Sequence, residues 1–187
     1  MDMRITGGSK KGLVLNSPRG KDIRPSSDHI RQVIFNIIGH DLSCKKILDL
    51  FSGTGILGIE ALSRGADRVC FVDKSSDALK LIVRNLEISG FKNKAHVVKR
   101  DLTKKNSFRL KGKFDIVFID PPYDKSLLEK TLEMMPVHML LEDEATIIGR
   151  SSKREVLPSY VNHMRLLEMR EYGDTRLWIY RFRGREE

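Results

Sequence analysis

Apolar positions recur along this chain at two spacings, and the switches between them mark out its elements. Ile30, Val33, Ile34, Ile37 and Ile38 fall at helical intervals after Ser27, and Gly39 closes the stripe. Lys46 to Phe51 then reads as a short strand, followed by a glycine-rich turn and a helix carrying Ile56, Leu57, Ile59, Ala61 and Leu62. Arg68 to Asp73 predicts a second strand, and Ser75 caps a helix with Leu79, Ile82, Val83 and Leu86 on one face. Ala95 to Val98 and Phe114 to Asp120 are the third and fourth strands, Ser126 to Met135 is helical, and Ala145 to Ile148 is the fifth strand. Met164 to Met169 and Leu177 to Phe182 flank a Tyr172-Gly173-Asp174 turn, the pattern of an antiparallel hairpin. The alternation predicts an α/β fold, a mostly parallel seven-stranded sheet with a C-terminal antiparallel hairpin. Its ligand crevice belongs at the carboxyl ends of the strands.

Residues 1 to 25 differ. Gly7-Gly8 and Gly12 punctuate Ile5 and Leu13-Val14-Leu15, which predicts a small hairpin or arm ending near Pro25. The expected division is therefore an arm over 1–25 and one α/β domain over 26–187. Lys and Arg total 34 against 25 Asp and Glu, a net charge of +9, which favours phosphate-rich polymers or acidic membranes as partners. The surplus gathers early, at Arg4, Lys10, Lys11, Arg19, Lys21, Arg24 and Arg31. This is either a solvated charged face or an arm that tracks the phosphates of structured RNA, with Arg4, Lys10, Lys11, Arg24 and Arg31 as candidate contacts.

Composition closes off other classes. Hydrophobic residues at 40% and charged residues at 32% argue against long disordered tracts. Cys44 and Cys70 are too few for a disulfide framework, the histidines are scattered, and no spacing suits zinc, so no metal is expected. No apolar run has the length of a membrane span and no signal pattern opens the chain, so a cytoplasmic protein without a membrane partner is expected; the sequence does not disclose the oligomeric state, and a monomer is the default expectation.

The turn after the first strand reads Gly53-Thr54-Gly55-Ile56-Leu57-Gly58, a G-x-G-x-x-G loop, and Asp73 ends the next strand where a carboxylate can hold ribose hydroxyls. Both features suit NAD and S-adenosylmethionine (SAM) alike. Charge separates the two cofactors. A pyrophosphate wants backbone N–H groups and no nearby carboxylate, whereas Asp49 stands in the first strand just before the glycines. Asp49 either pairs with the cationic amino-acid end of SAM or caps the turn, and the balance favours SAM. Asp101 follows the third strand and can accept the adenine amino group, while the Leu102 N–H reaches a ring nitrogen.

The fourth strand ends in Asp120-Pro121-Pro122-Tyr123. The prolines fix φ and leave outward carbonyls, so Asp120 and the Pro121 carbonyl can each accept one N–H of an exocyclic amine. Tyr123 offers a face for the extruded base. This predicts transfer of a methyl group to a base amine, with Asp120 to Tyr123 as the reacting corner.

These motifs resemble the bacterial small-subunit ribosomal RNA guanine-N2 methyltransferases, the RsmD family of SAM-dependent Rossmann-like enzymes. The likeness covers nearly the whole chain. It runs through Arg4 to Gly8, Lys10 to Gly12, Arg24 to Arg31, Asp49 to Gly55, Glu60 to Ala66, Phe71 to Lys74, Asp120 to Tyr123 and Tyr172 to Thr175. The Asp-Pro-Pro-Tyr motif is shared with DNA adenine and other amino methylases; the Arg-Pro-Ser-Ser-Asp segment and the arm are more family-specific. The resemblance implies that Asp49, Phe51, Gly53, Gly55, Asp73, Lys74, Asp101 and Leu102 line the SAM site. It implies a guanine of small-subunit rRNA, naked or in a partly assembled 30S subunit, as substrate. The alternatives are an amino methylase acting on DNA adenine or a protein amide, or an idle RNA-binding assembly factor. The chain departs from the family at His29, usually Arg, at Gln32, usually Glu, and at Gly149-Arg150, where the family commonly has Glu.

Overall fold

The computed structural model describes residues 3–17, 28–104, 107–122 and 126–184. They gather into two compact units, Met1–Arg100 and Asp101–Glu187. In the first unit, β1 (Met3–Arg4) and β2 (Val14–Leu15) form an antiparallel ribbon with Met3 opposite Leu15. There follow α1 (Asp28–Ile38), β3 (Lys46–Leu50), α2 (Ile56–Ser63), β4 (Arg68–Asp73), α3 (Ser76–Ser89) and β5 (Ala95–Lys99). β4 lies between β3 and β5, parallel to both. Ile47, Leu48, Leu50, Val69, Phe71 and Val72 are all buried, the near-continuous apolar run of strands covered on two faces. Ser75 caps α3 as expected, its hydroxyl accepting the Ala78 N–H at 3.3 Å, and left-handed Gly90 ends the helix.

Helix α2 is mostly apolar and buried on every side, all eight of its residues included. It can lie against β4 because position 58 is glycine: a Cβ there would stand 2.3 Å from the Phe71 ring. One of its buried residues is Glu60, and that carboxylate must be satisfied inside the protein. Arg31 Nε donates to Oε2 at 3.1 Å and Arg64 Nη2 to Oε1 at 2.7 Å. The Thr6 N–H donates to Oε2 at 3.2 Å and the Thr6 hydroxyl to Oε1. Arg31 also pairs with Asp28 at 3.0 Å and donates to the Arg4 carbonyl, while the Arg64 guanidinium sits 4.5 Å over the Phe35 ring.

This network corrects one expectation. Arg31 is wholly buried, its guanidinium bound to Glu60, Asp28 and a backbone carbonyl, so it belongs to the core and not to an exposed basic face. The arm, too, is integral where it is described. Met3, Ile5 and Leu15 are buried, the Lys10 N–H donates to Ser63 Oγ at 2.9 Å, and the Asn16 N–H donates to Asn85 Oδ1 at 2.9 Å. The expected boundary between 25 and 26 lies outside the described residues.

The second unit contains β6 (Phe114–Ile119), α4 (Leu127–Met134), α5 (Val137–Leu140), β7 (Leu141–Ser152), β8 (Tyr160–Val161), β9 (Met164–Tyr172) and β10 (Thr175–Phe182). β6 and β7 are parallel, β10 runs antiparallel between β7 and β9, and β8 pairs with β9. All seven expected strands are present, with the C-terminal hairpin turning at Gly173. β7 is longer than the Ala145 to Ile148 expected. Its polar C-terminal end is held by the ladder to β10, and an irregularity lies where Phe114 faces Leu141 but Ile116 faces Thr146. Glu144, at φ 60°, sits in that irregularity. The single turn α5 and the short β8 are additions to the reading from sequence.

Replacing Glu60 by Gln removes the buried carboxylate charge that the Arg31 and Arg64 guanidinium groups share. We expect a loss of about 3–5 kcal/mol in urea unfolding; a change below about 1 kcal/mol would contradict the network's role. The two thiols should also separate. Burial, and then the charge of Asp49, push the Cys70 thiol up to about 12, whereas Cys44 is exposed. At pH 8 a thiol reagent should label Cys44 alone in the folded protein and both cysteines in denaturant.

Candidate active site

The glycine loop follows directly from where β3 ends. Phe51 leaves the strand in the left-handed region at φ 57°, with Gly53 at 53° and Gly55 at 74°. A non-glycine residue at positive φ is uncommon and is held only by its surroundings. Ser52 supplies that hold. Its hydroxyl lies 2.6 Å from the Asp49 carbonyl and 3.2 Å from that of Val72, and it accepts the Val72 N–H at 2.9 Å. The Gly55 N–H donates to the Ser52 carbonyl at 2.7 Å. Ser52 was not singled out by sequence, because a small polar residue between Phe51 and Gly53 carries no signal of its own.

Two carboxylates serve this loop. Asp49, almost fully buried on β3, accepts the Gly58 N–H at 3.1 Å within the first turn of α2. The turn-capping role considered for Asp49 is therefore real, and it brings a negative charge to the positive end of the helix. Asp73, at the end of β4, accepts the Gly53 N–H at 2.9 Å through one oxygen and the Ser75 N–H at 2.8 Å through the other. Each carboxylate oxygen has a second lone pair, so such bonds orient the group without exhausting it.

The chemistry of this donor set discriminates between the two cofactors weighed from sequence. Backbone N–H groups that a pyrophosphate would require at Gly53 and Gly58 are already given to the protein's own carboxylates. An acidic, pre-bonded cradle fits a cofactor with cationic groups and hydroxyls, which is the character of SAM. Phe51 and Asp73 are half-buried around the loop, and Lys74 is exposed beside them.

Asp101 and Leu102 open the second unit. Asp101 is half-buried, and its Oδ1 accepts the Thr103 N–H at 3.1 Å and the Thr103 hydroxyl at 2.7 Å; the Leu102 side chain is buried. Asp120 follows the last residue of β6, and Pro121 beside it is buried while Pro122 is exposed. Arg150 Nε stands 2.6 Å from Asp120 Oδ1, both side chains being about one-sixth exposed or less. Tyr123 lies outside the described residues. So does Arg24 among the basic candidates. Arg4, Lys10 and Lys11 have exposed side chains, in contrast to Arg31.

Comparison with known proteins places these features in a family. A family profile described as "Conserved hypothetical protein 95" matches residues 3–181. "Putative rRNA methyltransferase YlbH" of Bacillus subtilis is 34% identical over 97% of this chain and 100% of its own length. "Ribosomal RNA small subunit methyltransferase D" of Escherichia coli strain K12 is 31% identical over 95% of this chain and 89% of its own. Among solved structures, "Putative methyltransferase yhhF" from Escherichia coli superposes with a TM-score of 0.83 at 29% identity, covering 99% of this chain and 100% of that one. An RNA methyltransferase from Salinibacter ruber, solved with S-adenosyl-L-homocysteine, has the same fold at a TM-score of 0.64 and 13% identity, over 88% and 97% of the two chains. With a profile spanning almost every residue and full-length relatives above 30% identity, this chain belongs to the Conserved hypothetical protein 95 family, which includes the RsmD-like methyltransferases.

Proposed function

We propose that this protein methylates ribosomal RNA, and more finely that it transfers a methyl group from SAM to the N2 amine of an unpaired or extruded guanine in small-subunit rRNA. The observation that carries the reading is the Asp120-Pro121-Pro122 corner at the end of β6 in a chain whose glycine loop is built from carboxylates rather than free amides. The names of the relatives support rRNA methylation; guanine N2 comes from the likeness of the sequence motifs.

Asp73 is suited to the ribose hydroxyls, Asp49 to the ammonium of the amino-acid end, and Asp101 with Leu102 to the adenine. Bound by these residues, the cofactor supplies an electrophilic methyl on a sulfonium. Asp120 and the Pro121 carbonyl then accept the two N–H bonds of the target amine, which turns the nitrogen lone pair away from them and toward the methyl. As the N–C bond forms and the methyl's bond to sulfur breaks, leaving a neutral thioether, the nitrogen would gain positive charge, which the Asp120 carboxylate is suited to stabilise. The proton leaves that nitrogen to Asp120 or to water. Tyr123 offers the ring on which the base stacks, and exposed Arg4, Lys10 and Lys11 are suited to phosphates, which position RNA without reading its sequence.

Radiolabel transfer from SAM to small-subunit RNA or to DNA, followed by nucleoside digestion, tests the reading. N2-methylguanosine from RNA is expected; label found only as N6-methyladenosine would refute the guanine assignment. Asp120→Ala should lower turnover about a hundredfold or more with SAM affinity nearly unchanged. Equal turnover in that variant would remove the mechanism. Asp73→Ala should weaken SAM binding about tenfold to a hundredfold, read by titration calorimetry, since it deletes a charge-assisted acceptor. Heat with NAD and none with SAM would reverse the cofactor assignment.

A further inference from the structure

Asp120 does not stand alone at its strand end. β6 and β7 run parallel with Ile119 opposite Gly149. The next position along each chain therefore sets residue 120 beside residue 150, and neighbours at one register of a parallel pair project to the same side. Gly149 itself permits the arrangement, because Leu128 of α4 packs where a Cβ would lie, with its Cδ1 2.6 Å from that point. Arg150 is held on its other side by the antiparallel ladder, where it faces Leu177 of β10. The result is a cross-strand ion pair, Arg150 Nε to Asp120 Oδ1 at 2.6 Å, with only 14% and 16% of the side chains exposed.

The consequence concerns orientation. The carboxylate of an aspartate turns about Cβ–Cγ in a broad, two-fold torsional well, so an unpartnered one presents its oxygens over a wide range. A carboxylate that must accept a particular N–H in a near-attack arrangement needs one setting, not a range. A guanidinium is charged at every relevant pH, and in a site this sheltered its attraction for one oxygen is screened little by solvent. It also acts against catalysis in one respect, since it offsets the negative charge that the attacked amine will need. Which effect dominates has a measurable sign.

Resting on the assignment of Asp120 as the amine's acceptor, we propose that Arg150 is a positioning residue: by drawing Oδ1 to itself it fixes the setting of the carboxylate that the amine meets. Arg150 touches neither the methyl nor the amine, and its whole effect on rate passes through Asp120.

A double-mutant cycle under single-turnover conditions tests this, with SAM and small-subunit RNA as substrates. Arg150→Ala should lower the rate of methyl transfer about tenfold in the otherwise native protein, with RNA KM and SAM affinity within about twofold. In an Asp120→Ala background the same substitution should change the rate by less than about twofold. Arg150→Lys, which keeps a cation beside Asp120, should recover part of the loss. It also serves as the second comparison should the alanine variant fold poorly. An unchanged or faster rate in Arg150→Ala would overturn the proposal, as would an equal loss in both backgrounds, or a lysine variant as slow as alanine. If the native protein transfers no methyl to RNA, the functional assignment fails; if it does and the cycle is additive, only the role of Arg150 fails.

Discussion

The first unit depends on one buried carboxylate. Helix α2 has no solvent-facing side, so its position is set wholly by what surrounds it, and Glu60 at its centre gathers Arg31 from α1, Arg64 from the helix's C-cap and Thr6 from the arm. Apolar side chains could fill the same volume without the cost of removing three charges from water. They would not fix the relative orientation of three elements, because dispersion contacts tolerate sliding where charge-assisted hydrogen bonds do not. The arm and α1 are thus locked to the helix whose other end forms the glycine loop. Contacts far from the loop in sequence decide where the loop sits.

The front end of α2 is held in a complementary way. Asp49 takes the Gly58 N–H and Asp73 takes the Gly53 N–H, so a carboxylate satisfies a backbone donor on each side of the loop. Helix N-termini attract anions, and here the protein has provided its own. A second anion brought to the same place would meet two negative charges in a poorly solvated setting. The loop has the spacing of a dinucleotide fingerprint and the electrostatics of a site for a cation, and the electrostatics decide which cofactor it suits.

Most of the fold could be read from the chain because its elements are locally consistent. The stripe of α1, the Ser75 cap of α3, and the apolar runs of β3 and β4 each declare themselves within a few residues. The parts that could not be read are those set by distant partners. Arg31 looks like one more cation in a basic stretch, and its bond to Glu60, twenty-nine positions away, ties it into the core. The nearest local hint was Glu60 four residues before Arg64, a spacing that also occurs on solvated helices. The C-terminal end of β7 and the whole of β8 are polar or short, held by backbone ladders that leave no hydrophobic trace. The Asp120–Arg150 pair needs the β6–β7 register, and a shift of one residue would dissolve it.

A common device joins the glycine loop and the Asp120 corner on the proposed reading. In the loop the carboxylates of Asp49 and Asp73 are oriented by backbone amides; in the corner the carboxylate of Asp120 is oriented by a guanidinium. The difference suits what each would bind. Neutral amide donors leave Asp49 and Asp73 their full charge, which a permanently cationic cofactor rewards throughout its residence. The corner would meet an amine that is neutral on arrival and positive only as the new bond forms. A bare carboxylate there would attract any passing cation. Pairing Asp120 with Arg150 lowers that general attraction while keeping an oriented acceptor for a group that brings N–H bonds in the right plane. Selectivity for a flat amine over a point charge then follows from geometry, with some catalytic charge stabilisation given up in exchange.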